Sequence, residues 1–163
     1  MKELVEVELA RHDWPSLRVM GDRSAQIPER LRDLLAAANG DEAEQRYWRL
    51  ENTVVVQGQL FEAAPAVVDV LLAALVGDDL APPARVAVLE LLDQLVHGES
   101  HAEEADRGVS DLGDRCRIRA RAGLWLLYRE LTTVNAEAAT DILEVVEPDL
   151  ERFAAHVRAQ QSR

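Results

Sequence analysis

DEAEQRYWRLENTVVVQGQLFEAAPAVVDVLLAALV, residues 41–76, reads as two apolar helices meeting at a Gln57-Gly58-Gln59 corner. The first opens on Asp41, whose carboxylate is placed to accept an amide of the first turn, with Glu44 three residues on in the manner of a capping box. Trp48 with Asn52 and Val55, and Leu50 with Val54, recur at helical spacing, so at least one apolar stripe has to be buried. Gly58 supplies the permissive backbone that stops the helix. From Leu60 to Val76 only Glu62, Pro65 and Asp69 interrupt the apolar run, which predicts a helix enclosed on most sides. Pro65 suits a first helical turn, where its missing N–H costs nothing. A membrane span needs about 20 apolar residues, and this run is shorter and carries two carboxylates.

Outward from this pair the chain reads as further helix. In the N-terminal segment, residues 1–25, Val5, Val7 and Leu9 alternate with glutamates like an edge strand, while Leu4, Glu8 and Arg11 suit a helix; helix is the preferred reading. Asp13-Trp14-Pro15 is a cap and short turn that docks Trp14 and Leu17 on the body. A helix from Pro28 to just before Gly40 places Ile27, Leu31, Leu34, Leu35 and Ala38 on one side. Beyond Val76 the run GDDLAPP stops and restarts the chain, and Val86, Leu89, Leu92 and Val96 carry the next helix to Gly98. His97 in its last turn suits the negative helix end. Residues 99–113 have almost no large apolar side chain and are predicted to form a long acidic loop. One helix from about Asp114 to Leu131 is expected to bury Ile118, Ala122, Trp125, Leu126, Leu127 and Leu131. Helices over 135–146 and 148–161 close the chain, the latter with Leu150, Phe153, Ala154 and Val157 inward.

At 163 residues the chain fits one domain, 1–163, able to hide roughly 70 % of its unfolded surface. Its residues are 48 % hydrophobic but only 4 % aromatic, so the interior is built from Leu, Val and Ala, which favours packed helices over a β-sandwich. A net charge of −12 repels a phosphate backbone and favours a basic partner; nucleic acid and membrane are disfavoured. The single Cys116 forbids an internal disulfide, and the glutamates within the first ten residues do not suit a secretion signal, so a cytoplasmic setting is expected.

Pro28 and Pro65 stand at equivalent places in successive helix pairs, 37 residues apart, close to the roughly 40-residue period of HEAT and armadillo arrays. The runs DWPSLRVMGDRSAQIPERLRDLL, YWRLENTVVVQGQLFEAAPAVVDVLLAAL and PARVAVLELLDQLVHG, within residues 13–98, resemble a bacterial, largely actinobacterial, HEAT-repeat-like protein family. In that family a Trp-containing entry leads to a "QG" corner and an alanine-rich buried helix. The family's corner is often His-Gln-Gly, whereas Val56 precedes Gln57 here, so no role for that histidine carries over. The resemblance implies an all-α fold and protein binding, and some members resemble toxin immunity proteins. It does not extend past Glu99.

Four constellations stand out. His97, His101, Glu99, Glu103 and Glu104 form the densest group of metal-ligating types, but Gly98 interrupts the four-residue histidine spacing and HAEE lacks a second histidine; a solvated loop is the better reading, with no metal expected. Arg107, Arg115, Arg117, Arg119 and Arg121 are the only dense cationic group. Arg115 and Arg119 share one helix side and Arg117 and Arg121 the other, so they pair with nearby acids or, from one face, line a concave surface. Asn52, Gln57 and Gln59 suit structural capping of the corner. Cys116 has no partner base nearby, and no phosphate loop or nucleophile elbow occurs, so no enzyme is argued.

The expectation is therefore an all-α fold, a short HEAT-like α-solenoid or helical-hairpin stack of about seven helices, without catalytic residues or cofactor. Its function is expected to be neutralisation of a basic toxin domain by direct binding, with Asp78, Asp79, Glu99, Glu103, Glu104, Asp106, Arg117 and Arg121 as the contact residues. The alternatives are a scaffold or regulatory subunit, or an enzyme on DNA bases or a small ligand with Arg117 or Arg121 and Trp125 in its groove.

Overall fold

The computed structural model describes residues 2–161, with the side chains of residues 3–160. It is all-α apart from three two-residue strands. In chain order the elements are α1 (Lys2–Ala10), α2 (Ile27–Leu35), α3 (Gly40–Val54), β1 (Val55–Val56), β2 (Gln59–Leu60), α4 (Ala64–Leu75), α5 (Pro82–His97), β3 (Glu99–Ser100), α6 (Ala102–Asp106), α7 (Leu112–Ala120), α8 (Leu124–Glu130), α9 (Ala136–Val146) and α10 (Leu150–Gln161). Short 3-10 turns at Trp14–Ser16, Ser24–Gln26 and Arg121–Gly123 connect them. Ten α-helical segments stand among the described residues where about seven were expected; α6 and the division between α7 and α8, which leave no clear mark in the sequence pattern, account for two of them. No helix among the described residues is long and apolar enough to cross a membrane.

The centre is the pair α4 and α5. Ten of the twelve residues of α4 are buried, among them Val67, Val68, Val70, Leu71 and Leu75 at zero exposure. Each such side chain contributes roughly 1.5–3 kcal/mol of burial free energy. Pro65 lies in the first turn of α4, as its sequence position requires. Against α4 pack α1, α5 and α7; against α5 pack α2, α3, α4, α7 and α9. α8 lies on α9, and α10 packs on α9 and, through His156 and Arg152, on Tyr128 and Trp125 of α8. A helix touched by five others is a hub, and these contacts do not establish the nearest-neighbour order of a linear hairpin stack.

Several local expectations are corrected. The cap of α3 is Asn39, whose side chain accepts from the Glu42 amide at 3.0 Å, while the Glu42 carboxylate accepts from the Ala38 amide at 3.1 Å; Asp41 sits in the first turn. Of the two stripes on α3 the inner one carries Leu50 and Val54, both at zero exposure, and Trp48 stands half-exposed. α2 ends at Leu35 and buries Ala37 just beyond it in place of Ala38. Val86 on α5 and Leu150 on α10 face outward.

The Gln57-Gly58-Gln59 corner is a β-hairpin turn. Gln57 and Gly58 both have positive φ, 52° and 76°, and β1 pairs antiparallel with β2 across them. Such two-residue turns need left-handed backbone at both positions, hence the glycine. β2 then pairs parallel with β3, which brings Glu99 and Ser100 beside the corner. The corner amides do not cap: Asn52 donates within its own helix to the Trp48 carbonyl at 2.8 Å, and Gln57 is exposed.

The acidic stretch 99–113 is not a long loop. β3 and α6 occupy it, and Glu104 turns inward, 2 % exposed, with Arg18 donating to both its oxygens. The helix expected over 114–131 is broken at Arg121–Gly123, and its first half buries a different face from the one expected. Ile118 and Trp125 are 59 % and 67 % exposed and Ala122 is exposed, while Leu112, Cys116, Ala120 and Gly123 point inward; Leu127 and Leu131 are buried as expected and Leu126 is half-buried. The reason is distance: a Cβ on Gly123 would lie 2.4 Å from Leu72 Cδ2, so only small residues let this segment approach α4 so closely.

Candidate functional site

The residues singled out from the sequence are mostly engaged by other groups. Arg117 donates to Asp114 at 2.9 Å, to Glu99 at 3.2 Å and to the Val96 carbonyl at 3.0 Å. Arg121 donates through Nε to the Val146 carbonyl at 3.1 Å. Asp78, almost fully exposed, lies 3.6 Å from an Arg129 nitrogen. Asp79 is exposed at the mouth of a hollow lined by Val5, Leu35, Ala74 and Leu80. Glu103 and Asp106 are exposed on α6, whereas Glu104 is inside and cannot meet a partner in this conformation. His101 Nδ1 accepts from the Glu103 amide at 3.2 Å and its ring stacks on Phe61; His97 instead faces Asp93, so the histidines of HGESH do not converge on one point. Cys116 is buried and its thiol is pushed up to about 12, chiefly by burial, which makes it an inert thiol in the folded protein.

A different place gathers carboxylates without cations. Between α3 and α9, with α5 as floor, runs a groove of about 550 Å³. Tyr47 and Trp48 form one wall, Val86, Leu89, Glu90 and Asp93 the floor, and Val134, Glu137 and Asp141 the other wall. It continues past Glu90 toward Glu44 and Pro83. Glu44, Glu90, Asp93, Glu137 and Asp141 therefore share one depression whose lining residues include no Lys or Arg. The floor carboxylates arise from helical spacing, since Val86, Glu90 and Asp93 recur three and four residues apart on one face of α5. Tyr47 stacks edge-on against Trp48, with ring centroids 5.2 Å apart, leaving the indole at the rim.

The electrostatics follow. Burial, reinforced by the Glu44 charge, raises Glu90 above the usual carboxylate range. Burial also raises Asp93; His97 opposes the rise and Asp141 adds to it. The Tyr47 phenol is pushed up to about 12 by burial and then by Glu51, Glu90 and Asp93. His97 Nδ1 lies 3.1 Å from Asp93 Oδ1 but is also 3.1 Å from the Asp93 carbonyl, and the buried Oδ1 has no well-aligned donor. Partly desolvated, mutually repelling carboxylates cost stability, and groups held this way mark functional sites. An entering guanidinium or ammonium would pair with Glu90 and Asp93 and rest its face or stem on Trp48, where a cation over the ring gains about 0.5–1 kcal/mol or more.

Local density in sequence could not find this groove, because its acids come from positions 44, 90, 93, 137 and 141 on three helices. Trp48, which the spacing places on an apolar stripe with Asn52 and Val55, is the half-exposed indole of the groove's wall. Comparisons with protein-family models, with curated proteins and with solved structures find no match for the chain.

Proposed function

We propose that this chain is a non-catalytic protein-binding module whose acidic groove takes a cationic segment of another protein, and that it acts in the cytoplasm as an immunity or inhibitor protein against a basic toxin domain. The observation that carries the reading is the α3–α5–α9 groove: five carboxylates, an exposed indole and no basic lining residue. Charge of one sign in a low-dielectric cleft speeds encounter with an oppositely charged partner, and the net charge of −12 adds to that field. Kinship with the HEAT-like family belongs to the same proposal and rests on the runs within residues 13–98. A scaffold role is the second reading, favoured by the exposed Ile118 and Trp125 on the other side of the α7–α8 segment.

The test is calorimetric titration with an arginine-rich helical peptide. The triple variant Glu90→Gln/Asp93→Asn/Asp141→Asn should weaken binding at least about tenfold and flatten its salt dependence. Removing the same number of charges elsewhere, with Asp78→Asn/Glu103→Gln/Asp106→Asn, should change affinity less than about twofold. Equal losses from both triples reduce the interaction to net charge and reject the groove.

A further inference from the structure

We propose that Glu8, His12 and Asp69 form a binding site for a divalent transition-metal ion of the zinc class, which would clip the end of α1 to α4. One oxygen of each carboxylate and one imidazole nitrogen all lie within 4.8 Å of one another, and none of the three side chains is fully exposed. Asp69 is the lone acid within α4, so its place among apolar residues asks for a reason.

The observation that points to an ion is His12 Nε2. This nitrogen is buried and has no hydrogen-bond partner, and Asp69 Oδ2 stands 3.4 Å away. Buried polar atoms without partners are few in native structures, and a bound ion is one of their causes. The ring itself is held by packing, edge-on to Trp14 with centroids 5.3 Å apart, while Trp14 Nε1 donates to the Leu9 carbonyl at 2.7 Å. The imidazole therefore cannot easily turn to find another donor or acceptor.

Metal–nitrogen and metal–oxygen bonds of about 2.0–2.2 Å put tetrahedral ligand atoms about 3.3 Å apart, so the two carboxylates have to draw in toward the held imidazole. One imidazole and two carboxylates suit zinc or cobalt better than magnesium or calcium, which prefer oxygen throughout. Three protein ligands leave the fourth position to water. Two guanidinium groups compete for the carboxylates: Arg11 donates to Glu8 at 2.7 and 2.9 Å, and Arg119 pairs with Asp69. Their side chains are 58 % and 36 % exposed, so both can swing into solvent when an ion enters. They neutralise the carboxylates without the ion and compete with it for them.

The site is tested with the full chain by titrating Zn²⁺ alone in a calorimeter and Co²⁺ in a visible spectrometer, with thermal melts alongside. Zinc should raise the melting temperature, and cobalt should give the intense d–d absorption of a four-coordinate nitrogen–oxygen site. His12→Gln and Asp69→Asn should each lose affinity by more than the roughly 10–100-fold typical of an outer-shell partner. Arg119→Gln keeps all three ligands and removes a competitor, so it should bind several-fold tighter than the natural chain. His97→Gln/His101→Gln should leave binding unchanged. Absence of zinc heat and cobalt absorption from both the natural chain and Arg119→Gln overturns the proposal, as does binding that survives His12→Gln or is lost in His97→Gln/His101→Gln. None of these outcomes depends on whether the acidic groove binds a protein.

Discussion

Replacing Glu130 by leucine should destabilise the protein by roughly 3–5 kcal/mol, the cost of leaving one member of a buried ion pair without its partner. Glu130 is 1 % exposed and Arg85 on α5 is 13 % exposed at the side chain, and Arg85 Nε donates to Glu130 Oε1 at 3.1 Å. The other carboxylate oxygen accepts from Asn135 Nδ2 at 2.9 Å and Thr133 Oγ1 at 3.2 Å. Burial alone would raise the Glu130 carboxyl, yet the hydrogen bonds from Arg85 and Asn135 hold it below its usual value. Its stabilising share is therefore fully present above the usual 4.5 and is lost as pH falls through the folded value. Arg85 also donates to the Gly77 and Leu75 carbonyls at 3.0 and 3.3 Å, so the pair ties the end of α4 to the turn between α8 and α9, whose Val134 and Asn135 frame the groove. For a chain of this length the loss corresponds to roughly 6–20 °C in melting temperature. Adding Arg85→Met should recover most of it, because apolar replacement of a whole buried pair is often neutral. Urea denaturation of both single variants and the double measures this directly. A cost below about 1 kcal/mol for Glu130→Leu, or a double variant as unstable as the sum of the singles, refutes the reasoning.

The groove carboxylates run the opposite way in pH. Glu90 and Asp93 are raised in the folded state, which binds protons more tightly than the unfolded chain there, so their share of stability should improve as pH falls from 7 toward their usual 4.5 and 3.8; denaturation at stepped pH should show that gain reduced in Asp93→Asn. Glu147, lowered to about 2 mainly by Arg152 and with Tyr128 donating to it at 2.6 Å, supports stability above 4.5 and loses that share between 4.5 and about 2; Glu147→Gln should remove this acid limb and cost roughly 1–3 kcal/mol at neutral pH. Gly113→Ala would set a Cβ 2.5 Å from the Gly98 carbonyl oxygen, a backbone atom that cannot rotate away, and should cost roughly 1–3 kcal/mol by calorimetry. Cys116 should not react with a thiol reagent in the native protein and should react on unfolding in guanidinium, since its raised pKa and burial both withhold the thiolate.

Pattern alone was enough for the class of fold and for the enclosure of α4, but not for its partner: α3 is expected to pair with α4 across the corner, whereas both helices pack on α5. The run from Leu60 to Val76 has too few polar positions to be anything but enclosed, and Pro28 and Pro65 mark first turns because a residue without an N–H is tolerated there. The spacing of Leu4, Glu8 and Arg11 favours helix over edge strand for α1, but the face it buries carries Val5 and Leu9, and Leu4 is exposed. Periodicity failed over α7 and the start of α8, where the large apolar side chains of Ile118 and Trp125 face solvent. There the inner row is chosen by size, since the small Cys116 and Ala120 lie on the helix packed against α4 and Gly123 sits directly against Leu72, and a neighbour's distance is not written in the chain's own pattern.

The site separates the two sources of information more sharply. Net charge, a number summed over the chain, already favoured a cationic partner. Which carboxylates face such a partner was decided only when the helices packed. Glu104, dense with other acids in sequence, folds inward onto Arg18, while Glu44, Glu90, Asp93, Glu137 and Asp141, far apart in sequence, meet across α3, α5 and α9. Local helix formation depends on neighbours three and four positions away, so sequence determines it; the pairing or abandonment of a charge depends on groups tens of residues distant, so the tertiary structure decides it.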